Sequence, residues 1–327
     1  GASMIISPTG ECLVTFPSFK THTESIEIEL SGRRLVNEKN IINQKSRSEL
    51  QDLYEALVLG TKDYIRKNGF SGAIIGSSGG IDSALTAVIA VDAIGSDQVK
   101  TFMMPFDYTA QMSIEDANKL AKNLGISHKV INIKDIFSSF EESLQEVFLG
   151  KEKDKTEENL QSRSRGVLLM AISNKLGSLV LTTGNKSETA VGYSTLYGDT
   201  AGGFSVLKDV PKTWVYQLAK YRNTIKEVIP QRIIDRQPSA ELAPNQKDSD
   251  SLPDYEILDE IIELYVEKDA SIEDIVSKGL DKKTAAEVIR LIDKSEYKRR
   301  QAPPGVRITD RGFGKDRRYP ITNRYSQ

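Results

Sequence analysis

Cysteine is nearly absent from this chain: Cys12 is the single one. No disulfide can form within the chain, and no thiolate zinc site can be assembled. That scarcity fits a reducing, cytoplasmic setting. Long apolar runs are missing as well. The longest, near 84–94 and 167–172, fall well short of the ~20 residues that a membrane-spanning helix needs. Residues 1–20 have no basic start followed by an apolar block, the pattern of a secretion signal. Neither sign of charge dominates. The net charge of -2 creates no whole-chain field for nucleic acid or a membrane surface. No internal repeat is visible. What remains is 327 residues, 39% apolar and 28% charged, enough for a sizeable core in one large or two smaller domains.

The first 45 residues read differently from the rest. Segments 3–7 and 12–16 are extended around a turn at 8–11, and 25–30 alternates Ile26, Ile28 and Leu30. Two or three strands without a second layer cannot bury both faces. They are expected to be part of something larger, or an arm docked on the rest, followed by a polar linker over 31–45. From Ser46 a capping-box signature with Glu49 precedes Leu50, Leu53, Leu57 and Tyr64 at helical spacing. Strands are then expected at 72–76, 99–104, 129–133 and 178–182. Helices are expected at 83–94, 114–124 (boxed by Ser113 and Asp116), 136–149 and 157–176. Continuous apolar strands separated by helices predict an α/β fold, a parallel sheet with helices on both faces. Beyond Lys212 the pattern is a helical extension: 213–222, 255–268, 272–277 and 283–295. A polar loop is expected at 245–253. The tail carries Arg307, Arg311, Lys315, Arg317, Arg318 and Arg324.

One string carries chemistry. Gly76-Ser77-Ser78-Gly79-Gly80-Ile81-Asp82-Ser83 lies between the first apolar strand and a helix. There a loop presents backbone N–H groups to an anion. Gly79 and Gly80 let oxygen atoms approach the backbone, and Ser77, Ser78 and Ser83 add hydroxyl donors. Asp82 can hold Mg²⁺ against phosphate. The Lys-Ser/Thr ending of the common nucleoside-triphosphate loop is absent, so γ-phosphate transfer is not indicated. A bare two-glycine turn with a helix cap is the plain alternative. The string resembles the pyrophosphate-binding loop of the ATP pyrophosphatase superfamily, whose members adenylate a substrate and release pyrophosphate. A second block, Thr183-Gly184-Asn185-Lys186-Ser187-Glu188, follows the strand at 178–182 and belongs on the same rim of a parallel sheet. There Glu188 can share a metal ion with Asp82; taken alone, it is an ordinary helix-surface residue.

Several further blocks resemble NAD⁺ synthetases. They are Glu158-Asn159-Leu160-Gln161-Ser162-Arg163-Ser164-Arg165-Gly166, Tyr197-Gly198-Asp199, Leu207-Lys208-Asp209-Val210-Pro211-Lys212-Thr213 and Pro238-Ser239-Ala240-Glu241-Leu242. The stretch Lys298-Arg299-Arg300-Gln301-Ala302-Pro303-Pro304-Gly305 is similar to the long, glutamine-dependent members. So is Leu196, where the shorter ammonia-only members carry lysine. The resemblance covers 46–327 and implies an adenine nucleotide α-hydrolase-like, Rossmann-like fold. Residues 3–30 resemble the last strands of the nitrilase-like glutaminase domain that precedes the synthetase in those enzymes, so 1–45 is expected to be that remnant plus a linker.

The implied reaction is ATP-dependent amidation of deamido-NAD⁺ to NAD⁺ through an acyl adenylate, with AMP and pyrophosphate released. The resemblance implies catalytic roles for Asp82, Glu188 and Lys212, with Mg²⁺ held by Asp82 and Glu188. Asp199 would orient the ammonia or a loop. ATP contacts would come from the glycine loop, Met104, Thr183, Lys212 and Ser239; for Met103 and Met104, plain strand core is the alternative. Deamido-NAD⁺ contacts would come from Asn159, Arg163, Glu188, Tyr193, Ser194, Thr195, Leu196 and Lys298. As isolated charges, Arg163 and Lys298 read equally as surface residues. Cys12 does not fit a glutaminase nucleophile and is expected to be a small buried apolar residue. Ammonia, not glutamine, is therefore the expected nitrogen donor for this chain, glutamine serving the full-length enzyme. A homodimer is expected, with the helix over 50–65 contributing. Competing readings are a GMP-synthetase-like or tRNA-modifying ligase using the same loop, and a non-catalytic nucleotide-binding protein.

Overall fold

The computed structural model describes residues 1–23, 25, 29–31, 34–36, 47–243, 246 and 248–322. Two small hairpins come first. Strands β1 (Met4–Ile6) and β2 (Cys12–Thr15) pair antiparallel, as do β3 (Glu29–Ser31) and β4 (Arg34–Val36). Half of the strand expected at 25–30 and most of the linker at 31–45 lie outside the described residues. Cys12 is exposed, not buried as expected. Its sulfur lies 3.3 Å from Thr15 Oγ1 and 3.6 Å from the Val14 carbonyl, both on the same strand.

The body of the chain is a five-stranded parallel sheet. Helix α1 (Glu49–Lys67) leads to β5 (Ala73–Gly76), α2 (Ile81–Ile94), β6 (Val99–Met103), α3 (Gln111–Leu124) and β7 (Ser127–Val130). Helices α4 (Lys134–Leu144) and α5 (Lys155–Leu176) precede β8 (Leu179–Thr182), α6 (Lys186–Val191) and the two-residue β9 (Phe204–Ser205). The strand order is β7-β6-β5-β8-β9. Chain direction across the sheet therefore reverses between β5 and β8, and ligand clefts form beyond the strand ends at such a point. Both faces of β5 are covered. Ala73 and Ile75 pack with α1, α2 and the later helix α7 (Lys212–Ile225), while Ile74 packs with Phe102, Ile133, Leu169 and Val180 on the α4–α5 side. That is why β5 reads as unbroken apolar sequence.

The remaining helices are α8 (Gln231–Asp235), α9 (Tyr255–Ile262), α10 (Ile272–Ser277), α11 (Lys282–Lys294) and α12 (Glu296–Arg299). Helix α9 continues into a π-helical turn over Glu263–Glu267. With α6, helices α9, α10 and α11 form a second core containing Ala190, Ile261, Val266, Val288 and Ile292.

Several local expectations change. Helix α1 is capped by Ser48, whose hydroxyl accepts from Gln51 N at 3.2 Å; Ser46 lies outside the described residues. Its apolar face packs on α2 and α7 within the chain. Helix α3 starts at Gln111, so Ser113 and Asp116 are internal. Both are held by tertiary partners, Ser113 by Glu241 at 2.7 Å and Asp116 by Arg232 at 2.8 Å. Local pattern cannot separate a cap from a buried acceptor. Strand β7 runs earlier than expected, and α6 and β9 were not anticipated because each is too short to show periodicity.

The tail folds back onto α6. Lys186 is fully buried, and its ammonium reaches Glu267 at 2.6 Å, Thr309 Oγ1 at 2.5 Å, the Arg311 carbonyl at 3.0 Å and Asp209 at 3.3 Å. Asp209 in turn accepts from the amides of Ile308 and Thr309 at 2.8 and 2.9 Å. Arg317 braces the fold by pairing with Asp269 at 2.9 Å and lying over the Tyr319 ring. Lys186→Met strands buried carboxylates, so urea unfolding should show a loss of about 3–5 kcal/mol.

Candidate functional site

The loops after β5 and β8 lie side by side at the switch point and open onto a cavity of about 540 Å³. The first loop is shaped by Gly79. Its φ is +77°, and a Cβ there would sit 2.3 Å from the Ser113 carbonyl oxygen, so only glycine fits. Ser83 Oγ donates to the Gly80 carbonyl at 3.0 Å and accepts from Ser78 N at 3.2 Å, which folds the loop over the start of α2. Helix α2 has no side-chain cap at Gly80. Its first amides and the positive end of its dipole are left to face an anion in the cavity.

Asp82 stands in that first turn. The second loop meets it through Asn185, the cap of α6. Asn185 Oδ1 accepts from Glu188 N at 3.0 Å, and Glu188 Oε2 lies 3.5 Å from Asn185 N, a capping box. The amide of Asn185 then donates to Asp82 Oδ1 at 2.9 Å. Lys212, the first residue of α7, inserts its ammonium between the two acids, 2.5 Å from Asp82 Oδ2 and 3.2 Å from Glu188 Oε1. Its side chain is 2% exposed, and the Tyr255 ring covers it at 5.1 Å. Burial alone lowers the affinity of Lys212 for its proton, but Asp82 and Glu188 outweigh it, so the group is a fixed cation. Burial pushes the Glu188 carboxyl up to about 7; Asp82 and Asp248 act the same way, and Lys212 opposes them. Tyr255 and Tyr193 both donate to Asp248, at 2.8 and 3.3 Å. Burial, then nearby carboxylates, holds both phenols protonated.

The cavity gathers most of the residues expected from the sequence. The whole loop Gly76–Ser83 lines it, with Met103, Met104, Thr183, Glu188, Lys212, Ser239, Asn159, Tyr193, Ser194, Thr195, Asp199 and Lys298. Arg163 and Leu196 do not line it. Arg163 is exposed and donates to the Leu196 carbonyl at 3.1 Å. Lys298 donates to the carbonyls of Gly192 and Ser194 at 2.7 Å each, and so shapes the 192–194 stretch from behind. Asp199 accepts from Thr195 N at 2.7 Å, while Thr195 Oγ1 donates to Asn159 at 2.8 Å. The side chain of Ser239 donates to the Gln246 carbonyl at 2.5 Å, and both residues line the cavity. Part of the loop expected at 245–253 is a short 3₁₀ turn, Asp248–Asp250; residues 244, 245 and 247 lie outside the described residues.

Sequence reasoning assigned no role to Asn185, Arg165, Asp248, Tyr255 or Glu241. For Asn185 the Asn-x-x-Glu cap signature was available. Arg165 lines the cavity and donates to the Met104 carbonyl at 2.9 Å; burial, opposed by Glu241, pulls its guanidinium down to about 10. Glu241 holds Arg236 and accepts from Ser113 Oγ and, at 3.4 Å, from Ala110 N. It thereby ties the 238–242 segment to the start of α3, beside Gly79. No helix among the described residues is long and apolar enough to cross a membrane.

The family model for NAD synthase matches residues 53–302. A glutamine-dependent NAD(+) synthetase of Acinetobacter baylyi is 53% identical over 325 residues, covering 99% of this chain and 60% of the relative. The solved glutamine-dependent NAD+ synthetase of Acinetobacter baumannii, in complex with ADP, is 50% identical with a TM-score of 0.60; 86% of this chain and 51% of that one are covered. The NH3-dependent NAD synthetase of Campylobacter jejuni is 26% identical with a TM-score of 0.63 over 77% of this chain and 96% of that one. The chain thus spans about three fifths of the length of the A. baylyi relative (60%).

Because the folded Glu188 carboxyl keeps its proton to a higher pH than its ordinary 4.5, stability should fall as pH rises from about 4.5 to about 7, then level off. In metal-free protein, urea midpoints measured between about pH 5 and 8 should show this slope. The slope should shrink in Glu188→Gln, and an identical slope in the variant would refute the assignment.

Proposed function

This chain belongs to the NAD synthase family, and from that premise we propose that it amidates deamido-NAD⁺ to NAD⁺ at the expense of ATP, a ligase reaction that forms a C–N bond. The observation that carries the proposal is the joining of Asp82 and Glu188, from the two loops at the switch point, by the buried ammonium of Lys212. The ADP bound by the A. baumannii relative supports an adenine nucleotide in this cavity.

In the first step an oxygen of the nicotinate carboxylate attacks the α-phosphorus of ATP, and the bond to the β-phosphate bridging oxygen breaks. Pyrophosphate leaves. Phosphoryl transfer of this kind asks the protein for positioning and charge neutralisation more than for covalent help. The α2 amides, Ser77, Ser78 and Ser83 are placed to receive the departing pyrophosphate. Lys212 supplies a fixed positive charge at the same rim. In the second step the ammonia nitrogen attacks the acyl carbon, AMP leaves and the nitrogen loses a proton. We assign Met103, Met104, Thr183 and Ser239 to the ATP side. The dinucleotide side is assigned to Asn159 and the 193–195 stretch, shaped by Lys298 and Asp199, with Arg163 and Leu196 as an outer support.

The residues fit Mg²⁺. Among the described residues no group of three or more His, Cys, Asp or Glu could hold a metal. Two carboxylates meeting on one ammonium, completed by phosphate oxygens and water, suit the sparse protein coordination of Mg²⁺. Held by Asp82 and Glu188, the ion would neutralise charge on the leaving pyrophosphate.

Residues 1–45 are read as the end of a glutaminase region and 46–327 as the synthetase unit. Cys12 is exposed in the β1–β2 hairpin, its sulfur bonding within its own strand; ammonia is the proposed nitrogen source and glutamine the donor for a longer protein. A homodimer in a cytoplasmic setting completes the proposal.

Two measurements test it. NAD⁺ formation from deamido-NAD⁺, ATP and Mg²⁺ should proceed with ammonia, whereas glutamine should give neither NAD⁺ nor glutamate. ATP binding without pyrophosphate release would instead identify a nucleotide-binding protein. Lys212→Met and Asp82→Ala should each lower kcat by about 100-fold or more, the scale for removing one preorganised charge partner. Unchanged turnover in either would sink its assigned role.

A further inference from the structure

Lys212 and Glu188 approach one point from two different helices, and neither helix by itself fixes their separation. Helix α7 begins at Lys212 after Pro211, which offers no side-chain cap. Its first amides are orphans unless another element accepts them. Lys212 N donates to Ser187 Oγ at 2.8 Å, and Thr213 N donates to Asp259 Oδ2 at 2.9 Å. Thr213 Oγ1 donates to the same Oδ2 at 2.8 Å, and the Ser187 hydroxyl donates to Asp259 Oδ1. Ser187 is fully buried in the first turn of α6, one residue before Glu188. Asp259 lies on α9, four residues after Tyr255, so both project from one face of that helix. Tyr255 covers the Lys212 ammonium, and Asp259 accepts from the backbone N–H of the next residue, Thr213. None of Asp259, Ser187 and Thr213 lines the cavity.

We propose that Asp259 is a positioning residue that staples the first turns of α6 and α7 together and so sets the distance between Glu188 and Lys212. Its catalytic consequence rests on the amidation proposed above. Each carboxylate oxygen serves a different helix: Oδ1 takes the donor from α6, and Oδ2 takes two donors from α7. An asparagine at 259 keeps one acceptor and turns an NH₂ toward the donors on the other side, so one helix is released. An ångström of misplacement at a reacting centre costs about 100-fold in rate.

Asp259→Asn, Thr213→Val and Thr213→Ser are compared by steady-state kinetics with ammonia, by urea unfolding, and by ¹⁵N detection of the Lys212 side-chain ammonium. The expected result for Asp259→Asn is a kcat about 100-fold lower, with KM for ATP within about threefold of wild type. Thr213→Val should lose about tenfold in kcat, and Thr213→Ser, which keeps the hydroxyl donor, should stay within about threefold. The Lys212 resonance should shift or broaden in Asp259→Asn and Thr213→Val only. Wild-type kcat in Asp259→Asn, equal losses in the two Thr213 variants, or a KM that rises in step with the fall in kcat would overturn the proposal. If Asp259→Asn does not fold, the two Thr213 variants decide it. If the wild-type chain makes no NAD⁺, the amidation reading fails, and the ammonium resonance alone decides whether Asp259 positions Lys212: an unchanged signal overturns it.

Discussion

One ammonium group holds the site together. Lys212 Nζ binds Asp82 from the loop after β5 and Glu188 from the loop after β8. Three groups of mixed sign, each largely withdrawn from water, tolerate one another only because they are paired. Removing the central cation leaves two acids facing each other at the mouth of the cavity. The arrangement also fixes the first turn of α2, since Asp82 is bonded at both oxygens, to Asn185 and to Lys212. A helix start meant to receive an anion is thereby kept from drifting before the anion arrives, which is electrostatic preorganisation in its structural form.

That triad depends on a frame that is not part of the parallel sheet. The sheet supplies the two loops and their common rim. Lys212 and Glu188 come from α7 and α6, and what relates them is α9 together with the tail. Tyr255 shields the ammonium, Asp259 gathers the helix starts, and Asp248 draws the Tyr193 and Tyr255 hydroxyls toward the 248–250 turn. The opposite wall is tied by Glu241, which fastens the 238–242 segment to α3 where that helix touches Gly79. The second core, seemingly remote from chemistry, is the abutment against which the site is set.

How much of this was legible in the sequence varied with the range of the interaction. The strand, glycine loop and helix at 73–94 could be read directly, because apolar continuity, a positive-φ glycine and an acidic first turn are local signals. The neighbourhood of the second loop followed from parallel topology, but the role of Lys212 came only through family resemblance, since a lysine after a proline has no pattern of its own. Ser113 and Asp116 looked like a helix box and are instead bonded to Glu241 and Arg232, more than a hundred residues away. Asp259 and Asp248 left no trace, and Arg165 stood in a family-like block without a role, because a buried carboxylate or guanidinium is spelled the same way as an exposed one until its partners are known. Cys12 failed for the complementary reason: a small residue in a short strand takes its exposure from a layer that the local sequence does not specify.

The burial of Lys186 has a consequence for the order in which the molecule can be completed. Its partners are Asp209, Glu267, Thr309 and the Arg311 carbonyl, so a lysine near the middle of the chain is satisfied in part by residues more than a hundred positions later. Until the 309–311 segment folds back, the buried ammonium lacks two of its four partners. The sheet, whose contacts close between residues 73 and 205, can form before then. The nucleotide rim is therefore complete only when a segment more than a hundred residues downstream of Lys186 lies against α6, the helix that carries the acid at 188.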